Sequence, residues 1–187
     1  MKGCIQLELV PDINNTVNMV PVDHVARIVS SAVVAPPSSP DQNNENFPVV
    51  HVTARPMPTY NVLFSALSAY GYSASQCEYL VWRRGLEQHV LASQDNALFP
   101  LLHFVLDDLP TSTKAPELDD KNARALLKGS GLPESATVDR GLVGMYLAWL
   151  VEAGFLPVPS VEDAPEKLPS VYLPPGMHAR AVGRSGA

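Results

Sequence analysis

The sequence has little of what several classes of protein depend on. Only 17% of its 187 residues are charged, below the usual quarter, and its two cysteines are Cys4 and Cys77. Two cysteines are too few for the disulfide framework of a small secreted domain, so we expect free thiols and a cytoplasmic location. A net charge of −6, without any cluster of Lys or Arg, disfavours a nucleic-acid partner.

Long apolar runs are also missing. The longest, residues 141–151, is closed by Arg140 and Glu152, whereas a membrane-spanning helix needs about 20 apolar residues. We therefore expect no membrane partner. The first residues include one lysine and several polar side chains, unlike a signal peptide, and they open like the interior of a helix with no capping residue. This opening predicts that the chain is part of a longer polypeptide.

Catalytic and cofactor-binding motifs are absent from the sequence as well. No close pair of glycines follows a predicted strand, as a dinucleotide-binding loop would require. No lysine has a tyrosine four residues before it, so the tyrosine–lysine pair of a reductase helix is absent. The 5 histidines lack the spacing of metal ligands. The sequence therefore predicts no catalytic residue, no cofactor-binding residue and no metal ligand within this chain.

Hydrophobic periodicity indicates what the chain does contain. A stripe of valines and alanines, spaced as on one face of a helix, predicts a buried apolar face for a helix over residues 21–34. Thr59 and Gly71 are suited to cap the two ends of a second helix. Strands are predicted near residues 16–20, 47–53 and 72–75, and further helices near 1–9, 76–92, 96–107, 119–128 and 138–153.

The order of these elements predicts an α/β chain in three segments. Residues 1–58 have the βαβ rhythm of the end of a Rossmann-like α/β core, with too few strands for a complete sheet. Residues 59–156 are mostly helical, and residues 157–187 form a proline-rich segment that we expect to be disordered. Because a partial sheet leaves a strand edge and an apolar helix face uncovered, we expect marginal stability or self-association.

Two groups of residues within the predicted helices receive a structural interpretation. Gly141 and Gly144 lie inside a predicted helix, where close packing against a neighbouring element explains them better than a nucleotide loop does. Asp119 and Asp120 precede a predicted helix, where carboxylates cap the first turn and complement the helix dipole.

Three strings of the sequence resemble a known family. They are KGCIQLELVPDINNTVNMVPVDHVARIV at residues 2–29, NALFPLLHFVLDDLPTSTKAPELDDKNA at residues 96–123, and GFLPVP at residues 154–159. They resemble the C-terminal reductase region of the fungal L-2-aminoadipate reductases. The similarity extends more weakly to thioester reductase domains of carboxylic acid reductases and peptide synthetases. It covers about residues 2–160 and leaves the proline-rich end unmatched.

The resemblance implies a fold and a reaction. The fold is a partial Rossmann-like extended short-chain dehydrogenase/reductase fold, of which this chain would hold the late strands and a C-terminal helical substrate-binding subdomain. The whole enzyme, an L-2-aminoadipate-semialdehyde dehydrogenase of lysine biosynthesis, uses NADPH to reduce 2-aminoadipate carried as a thioester on phosphopantetheine. The implied partners are the upstream Rossmann half and the carrier domain of the same polypeptide. Because the catalytic residues of such reductases precede this region, we expect the chain alone to be inactive.

The resemblance also implies a substrate-binding segment. Such folds turn from a late strand towards the substrate cleft at the position of Asn18, Met19, Val20, Asp23 and His24, and we expect these residues to bind substrate. Asp23 and His24 also raise a different hypothesis, a small hydrolase, although no nucleophile motif accompanies them.

A non-catalytic module that docks a carrier protein is the remaining alternative. A basic and aromatic patch at residues 79–84 is open to two interpretations: a contact for an acidic partner or a phosphopantetheine arm, or a helix surface with extended arginines. An upstream reading frame that encodes a Gly-rich βα turn and a Tyr-x-x-x-Lys pair would favour the reductase over this alternative.

Overall fold

The computed structural model describes residues 1–35, 49–92, 96–107 and 116–176. Helices are the main regular structure of the described chain, as predicted for its second half. The helices and strands, in chain order, are α1 (Lys2–Leu7), β1 (Leu9–Pro11), α2 (Val22–Val34), α3 (Tyr60–Ala69), β2 (Ser75–Cys77), α4 (Tyr79–Ala92), α5 (Leu102–Asp107, after a 3-10 turn at Phe99–Leu101), α6 (Lys121–Gly129) and α7 (Arg140–Glu152).

The chain divides into two compact units that are interleaved in sequence. The first unit contains residues 1–15, 59–113 and 139–187, and the second contains residues 16–58 and 114–138. The division into residues 1–58, 59–156 and 157–187 that the sequence suggests stays a prediction. Within the described ranges, no helix is long and apolar enough to cross a membrane.

A short parallel sheet in the first unit confirms the predicted α/β class. Strand β1 pairs with β2 in the register that places Val10 opposite Gln76. The ladder continues at both ends, because Ser75 N donates to Glu8 O at 2.9 Å and Asp12 N donates to Cys77 O at 2.8 Å. The last predicted strand therefore exists, but it spans residues 75–77 rather than 72–75.

The two other predicted strands are wrong where the structure describes them. Residues 16–20 and 49–53 form no β-strand, and residues 47–48 lie outside the described part. The side chain of Asn18 bonds instead to the backbone of Val52 and Ala54, so side-chain hydrogen bonds hold together two segments that were expected to join a ladder. Strand β1 was missed because the helix predicted near residues 1–9 includes its first residue.

Helices α3, α4 and α7 contribute most of the core of the first unit. Thr59 caps α3 as predicted, since its Oγ1 accepts a hydrogen bond from Val62 N, and Gly71 follows the helix with a φ of 86°. The predicted close packing is confirmed at Gly144, where a Cβ would collide with the ring of Tyr70, but it is wrong at Gly141, which is exposed. The side chains that bury almost completely in this unit include Leu67 of α3, Trp82 and Leu86 of α4, and Leu147 of α7.

The first part of the proline-rich segment is attached to this core. The carbonyl of Gly71 accepts hydrogen bonds from the amides of Ser160 and Val161, at 3.1 and 3.0 Å. Arg140 pairs with Glu166 at 3.1 Å. These contacts hold residues 160–166, which the sequence had predicted to be disordered, and residues 177–187 lie outside the described part of the chain.

The second unit is built on the packing of α2 against α6. Its core consists of Ile28 on α2 with Ala123 and Leu127 on α6. The predicted helix over residues 21–34 is confirmed, but its buried face is not the predicted one. The residues that α2 buries are His24, Ile28 and Ser31, and the valines that it exposes are Val22, Val29, Val33 and Val34.

Candidate functional site

A buried carboxylate organises the polar side chains of the second unit. Asp120, only 4% exposed, stands immediately before α6. Arg55 donates two hydrogen bonds to this carboxylate, from Nε to Oδ2 at 2.6 Å and from Nη2 to Oδ1 at 2.7 Å. Arg124 Nε donates to Oδ1 at 3.1 Å, and Thr53 Oγ1 donates to Oδ2 at 3.2 Å. Asp120 thus fixes the direction of the Arg55 guanidinium.

This network has a clear electrostatic consequence. The hydrogen bonds from Arg55 lower the pKa of Asp120 well below its usual range, and they outweigh burial, which acts in the opposite direction. The contacts from Arg124 and Thr53 lower that pKa further. In return, the hydrogen bond to Asp120 raises the pKa of Arg55. The cluster of Asp120, Arg55 and Arg124 contains one carboxylate and two guanidinium groups, so it has a net positive charge.

The positive cluster borders a cleft of about 440 Å³ within the second unit. This volume lies within the roughly 300–1,000 Å³ that is typical of small-molecule sites. Arg55 and Glu117 are the charged side chains of its wall, and the remaining wall residues are small, apolar or hydroxyl-bearing. The full lining is Thr16, Thr53, Ala54, Arg55, Pro56, Met57, Glu117 and Leu118.

Asn18 is the predicted site residue that is attached to this cleft. Its side-chain Oδ1 accepts a hydrogen bond from Ala54 N at 2.8 Å, and its Nδ2 donates to Val52 O at 3.3 Å. Both groups of its amide are therefore engaged by the backbone that leads into the cleft wall. In this structure Asn18 holds the wall in place rather than lining the space.

The other predicted site residues lie away from the cleft lining. Met19 is 39% exposed, and Val20 is half-buried. Asp23 pairs with Arg27 one helical turn further on, at 2.6 Å. His24 is buried, and its Nδ1 has no hydrogen-bond partner among the described residues. The role of these residues in substrate binding stays a prediction.

Sequence reasoning missed Arg55, Asp120 and Arg124. It assigned both Asp119 and Asp120 to helix capping, and this is wrong for the Asp120 side chain, which forms no capping hydrogen bond. Asp119 Oδ1 accepts the hydrogen bond from Lys121 N at 3.0 Å instead. The pair of adjacent acids was the sequence signal that could have revealed this network. One carboxylate is enough to cap the first turn of α6, so the second carboxylate needs a different partner.

Comparison with known proteins places this site in context. No family model matches the chain. It is 45% identical along its whole length to L-2-aminoadipate reductase of Schizosaccharomyces pombe and 42% identical along its whole length to that of Saccharomyces cerevisiae. It is 47% identical, over 92% of its length, to the L-2-aminoadipate reductase large subunit of Penicillium chrysogenum. The chain spans only 13%, 14% and 13% of these three proteins, respectively.

A solved structure supports the same relationship. The terminal R domain from the myxalamid PKS-NRPS biosynthetic pathway matches with a TM-score of 0.63 and 26% sequence identity, over 85% of this chain and 38% of that chain. The match confirms the predicted fold, that of part of a reductase domain of the extended short-chain dehydrogenase/reductase type. Over 92–100% of its length, the chain is therefore similar to a segment of the L-2-aminoadipate reductases that makes up 13–14% of the length of these relatives.

Proposed function

We propose that this chain is the substrate-side segment of an NADPH-dependent reductase that converts a carrier-bound 2-aminoadipyl thioester into its semialdehyde. The observation that carries the proposal is the 42–45% identity to L-2-aminoadipate reductases along the whole chain. The resemblance of the fold to a terminal R domain supports a role in reduction. The small share of each relative that the chain spans supports its being one part of a larger enzyme.

The described residues do not fit a nicotinamide nucleotide by themselves. Among the described residues, the glycines with positive φ are Gly71, Gly131, Gly154 and Gly176, and none of them begins a helix after a strand. A dinucleotide loop needs that arrangement, so that backbone N–H groups at a helix start can approach the pyrophosphate. We assign nucleotide binding and proton donation to the preceding part of the same polypeptide.

The surface of the chain offers support for such a partner. Helix α2 exposes Val22, Val29 and Val33, which are 81%, 56% and 78% accessible. Strands β1 and β2 pair with each other alone among the described residues, so each has one free edge. Apolar helix faces and free strand edges are the surfaces that the rest of a sheet and its covering helices would bury. The expected self-association of the isolated chain rests on the same surfaces.

The proposed contribution of the chain itself is to hold the acyl group. Asp120 fixes Arg55 at the cleft wall, and Asn18 fixes the backbone on either side of Thr53. A wall held by hydrogen bonds in this way presents its side chains in one arrangement before substrate arrives, which reduces the entropy lost on binding.

Reconstitution of the reaction tests this division of labour. The substrate is the pantetheine thioester of L-2-aminoadipate, and aldehyde formation with NADPH is followed for three samples. These are this chain, the preceding reductase sequence, and a longer polypeptide that joins the two. We expect aldehyde from the joined polypeptide alone. Equal turnover by the preceding sequence without this chain would contradict the proposal, and binding of the carrier domain without any reduction would favour the docking-module alternative.

A further inference from the structure

The cleft of the second unit combines one cation, one anion and an apolar wall. Arg55 and Glu117 are its charged side chains, and Met57 and Leu118 add apolar side chains to its lining. A ligand that satisfies this lining carries a negative group, a positive group and an aliphatic portion. The two hydroxyl groups of Thr16 and Thr53 add neutral hydrogen-bonding capacity at the wall.

Arg55 keeps hydrogen-bonding capacity beyond its pair with Asp120. A guanidinium group has five N–H donors, and Asp120 engages one on Nε and one on Nη2. Three donors, two of them on Nη1, have no acceptor among the described residues. The Arg55 side chain is also 49% exposed, so these donors are accessible to a ligand. Because Arg124 shares the same carboxylate, Arg55 retains positive charge with which to bind an anion.

Glu117 is the matching anionic group. It is exposed, and it forms no hydrogen bond or ion pair within the described ranges. The neighbouring acid Asp119, in contrast, forms an ion pair with Lys121 at 3.1 Å and does not line the cleft. Glu117 is therefore available to a positively charged ligand group, and it would repel a phosphate.

We propose that this cleft binds the free α-amino-acid end of the acyl chain, with Arg55 on its carboxylate and Glu117 on its ammonium group. Met57 and Leu118 contact the methylene groups that lead back to the thioester. The inference rests on the proposed function for the class of acyl group, and it adds the residues that recognise the end remote from the reacting carbon. Asp120 is the positioning residue for Arg55.

Three acyl probes separate the two charged contacts. They are N-acetylcysteamine thioesters of L-2-aminoadipate (linked through its 6-carboxyl group), of adipate and of 5-aminopentanoate. The adipyl probe lacks the ammonium group and the 5-aminopentanoyl probe lacks the carboxylate, whereas the chain length to the thioester is the same in all three. Their affinity for the full chain is measured by calorimetry, after circular dichroism has shown that each variant is folded.

Two variants should lose affinity in opposite patterns. Arg55→Met should weaken the aminoadipyl and adipyl probes by roughly 10- to 100-fold, the usual effect of a charge-assisted hydrogen bond, and leave the 5-aminopentanoyl probe unchanged. Glu117→Gln should weaken the aminoadipyl and 5-aminopentanoyl probes by roughly 10-fold and leave the adipyl probe unchanged. If Arg55→Met does not fold, Arg55→Lys replaces it, because lysine keeps a charge and loses the two-pronged geometry.

Matched controls distinguish recognition from a general disturbance of the unit. Arg124→Met removes a partner of Asp120, as Arg55→Met does, but Arg124 does not line the cleft. Asp119→Asn removes an acid near Glu117 that also lies outside the lining. Asp119→Asn should bind all three probes with unchanged affinity. Arg124→Met should weaken the aminoadipyl and adipyl probes less than Arg55→Met does, because Arg55 keeps its unpaired N–H donors at the cleft.

Several results would overturn the inference. These are no binding of any probe by the folded chain, an equal loss for all three probes in Arg55→Met, or the same loss in Arg124→Met. The assay needs neither NADPH nor turnover, so it separates the two proposals. Selective losses with an inactive joined polypeptide would refute the proposed function alone. Reduction of aminoadipyl thioester by that polypeptide, without the selective losses, would refute the inference alone.

Discussion

Replacing Asp120 with asparagine should destabilise the second unit, and the structure allows the size of the effect to be worked out. The Asp120 side chain is 6% exposed and accepts four hydrogen bonds, two from Arg55, one from Arg124 and one from Thr53. An asparagine side chain would keep the shape but would lose the charge, and its NH₂ group would face an N–H donor. Breaking a fully buried ion pair costs about 3–5 kcal/mol.

The expected cost in this unit is smaller than that limit. The side chains of Arg55 and Arg124 are 49% and 40% exposed, so water can solvate them once the carboxylate is gone. We therefore expect Asp120→Asn to lower the free energy of unfolding by about 2 kcal/mol. With a denaturant slope of about 2 kcal/mol per molar, the urea midpoint of the second unit would fall by roughly 1 M.

The pH dependence of this difference is a second part of the same prediction. The pKa of Asp120 is lower in the folded chain than in the unfolded one, so its contribution is present above the unfolded pKa of about 4 and is lost as the pH falls below it. The gap between wild type and Asp120→Asn should be constant near neutral pH and should shrink below about pH 4. Asp119→Asn, at an exposed position, is the control. Equal urea midpoints for Asp119→Asn and Asp120→Asn would refute the reasoning.

Three further predictions concern the first unit. Burial raises the pKa of Tyr72 to about 12, so its contribution to stability should be complete below about pH 10 and should fall between about pH 10 and pH 12. In urea titrations, Tyr72→Phe should remove this loss of stability at alkaline pH. An unchanged loss in the variant would contradict the assignment to Tyr72. Gly144→Ala should lower the free energy of unfolding by about 2 kcal/mol because its Cβ meets the ring of Tyr70, at the end of α3. Gly141→Ala, whose nearest new contact is 3.5 Å away, should leave the free energy of unfolding unchanged or raise it by up to ~1 kcal/mol. Cys4, which is 3% exposed, should react with iodoacetamide more slowly than the half-buried Cys77. The two rates can be measured by mass spectrometry of the labelled peptides. Equal rates would contradict the placement of Cys4 in the core.

Local sequence signals predicted the helices well, because each signal lies within the element that it describes. Thr59 and Gly71 bracket α3 as a cap and a stop, and the glycine at position 144 marks a close helix contact. The strands were harder to predict, since pairing depends on residues far apart in sequence. Leu9 pairs with Ser75, and no pattern in the sequence around Leu9 predicts this partner. Residues near Asn18 have strand-like composition, yet an amide side chain takes the place of the ladder.

The candidate site was less predictable than the fold for the same reason. Arg55 and Asp120 are 65 residues apart, and each alone resembles an ordinary surface charge. Of the segment that the family resemblance suggested, Asn18 contacts the backbone of the cleft wall, and the role of that segment in substrate binding stays a prediction. The individual side chains that line the cleft depend on the tertiary packing of the second unit, and that packing cannot be deduced from spacing alone.

The most direct test of the proposed division of labour is a calorimetric titration of NADPH. The nucleotide is titrated into this chain and, separately, into a longer polypeptide that adds the preceding reductase sequence, after circular dichroism has verified that both are folded. The proposal predicts no heat of binding for the chain and saturable binding for the longer polypeptide. Tight, saturable binding by the chain alone would contradict the proposal, because it would place the nucleotide site within these 187 residues.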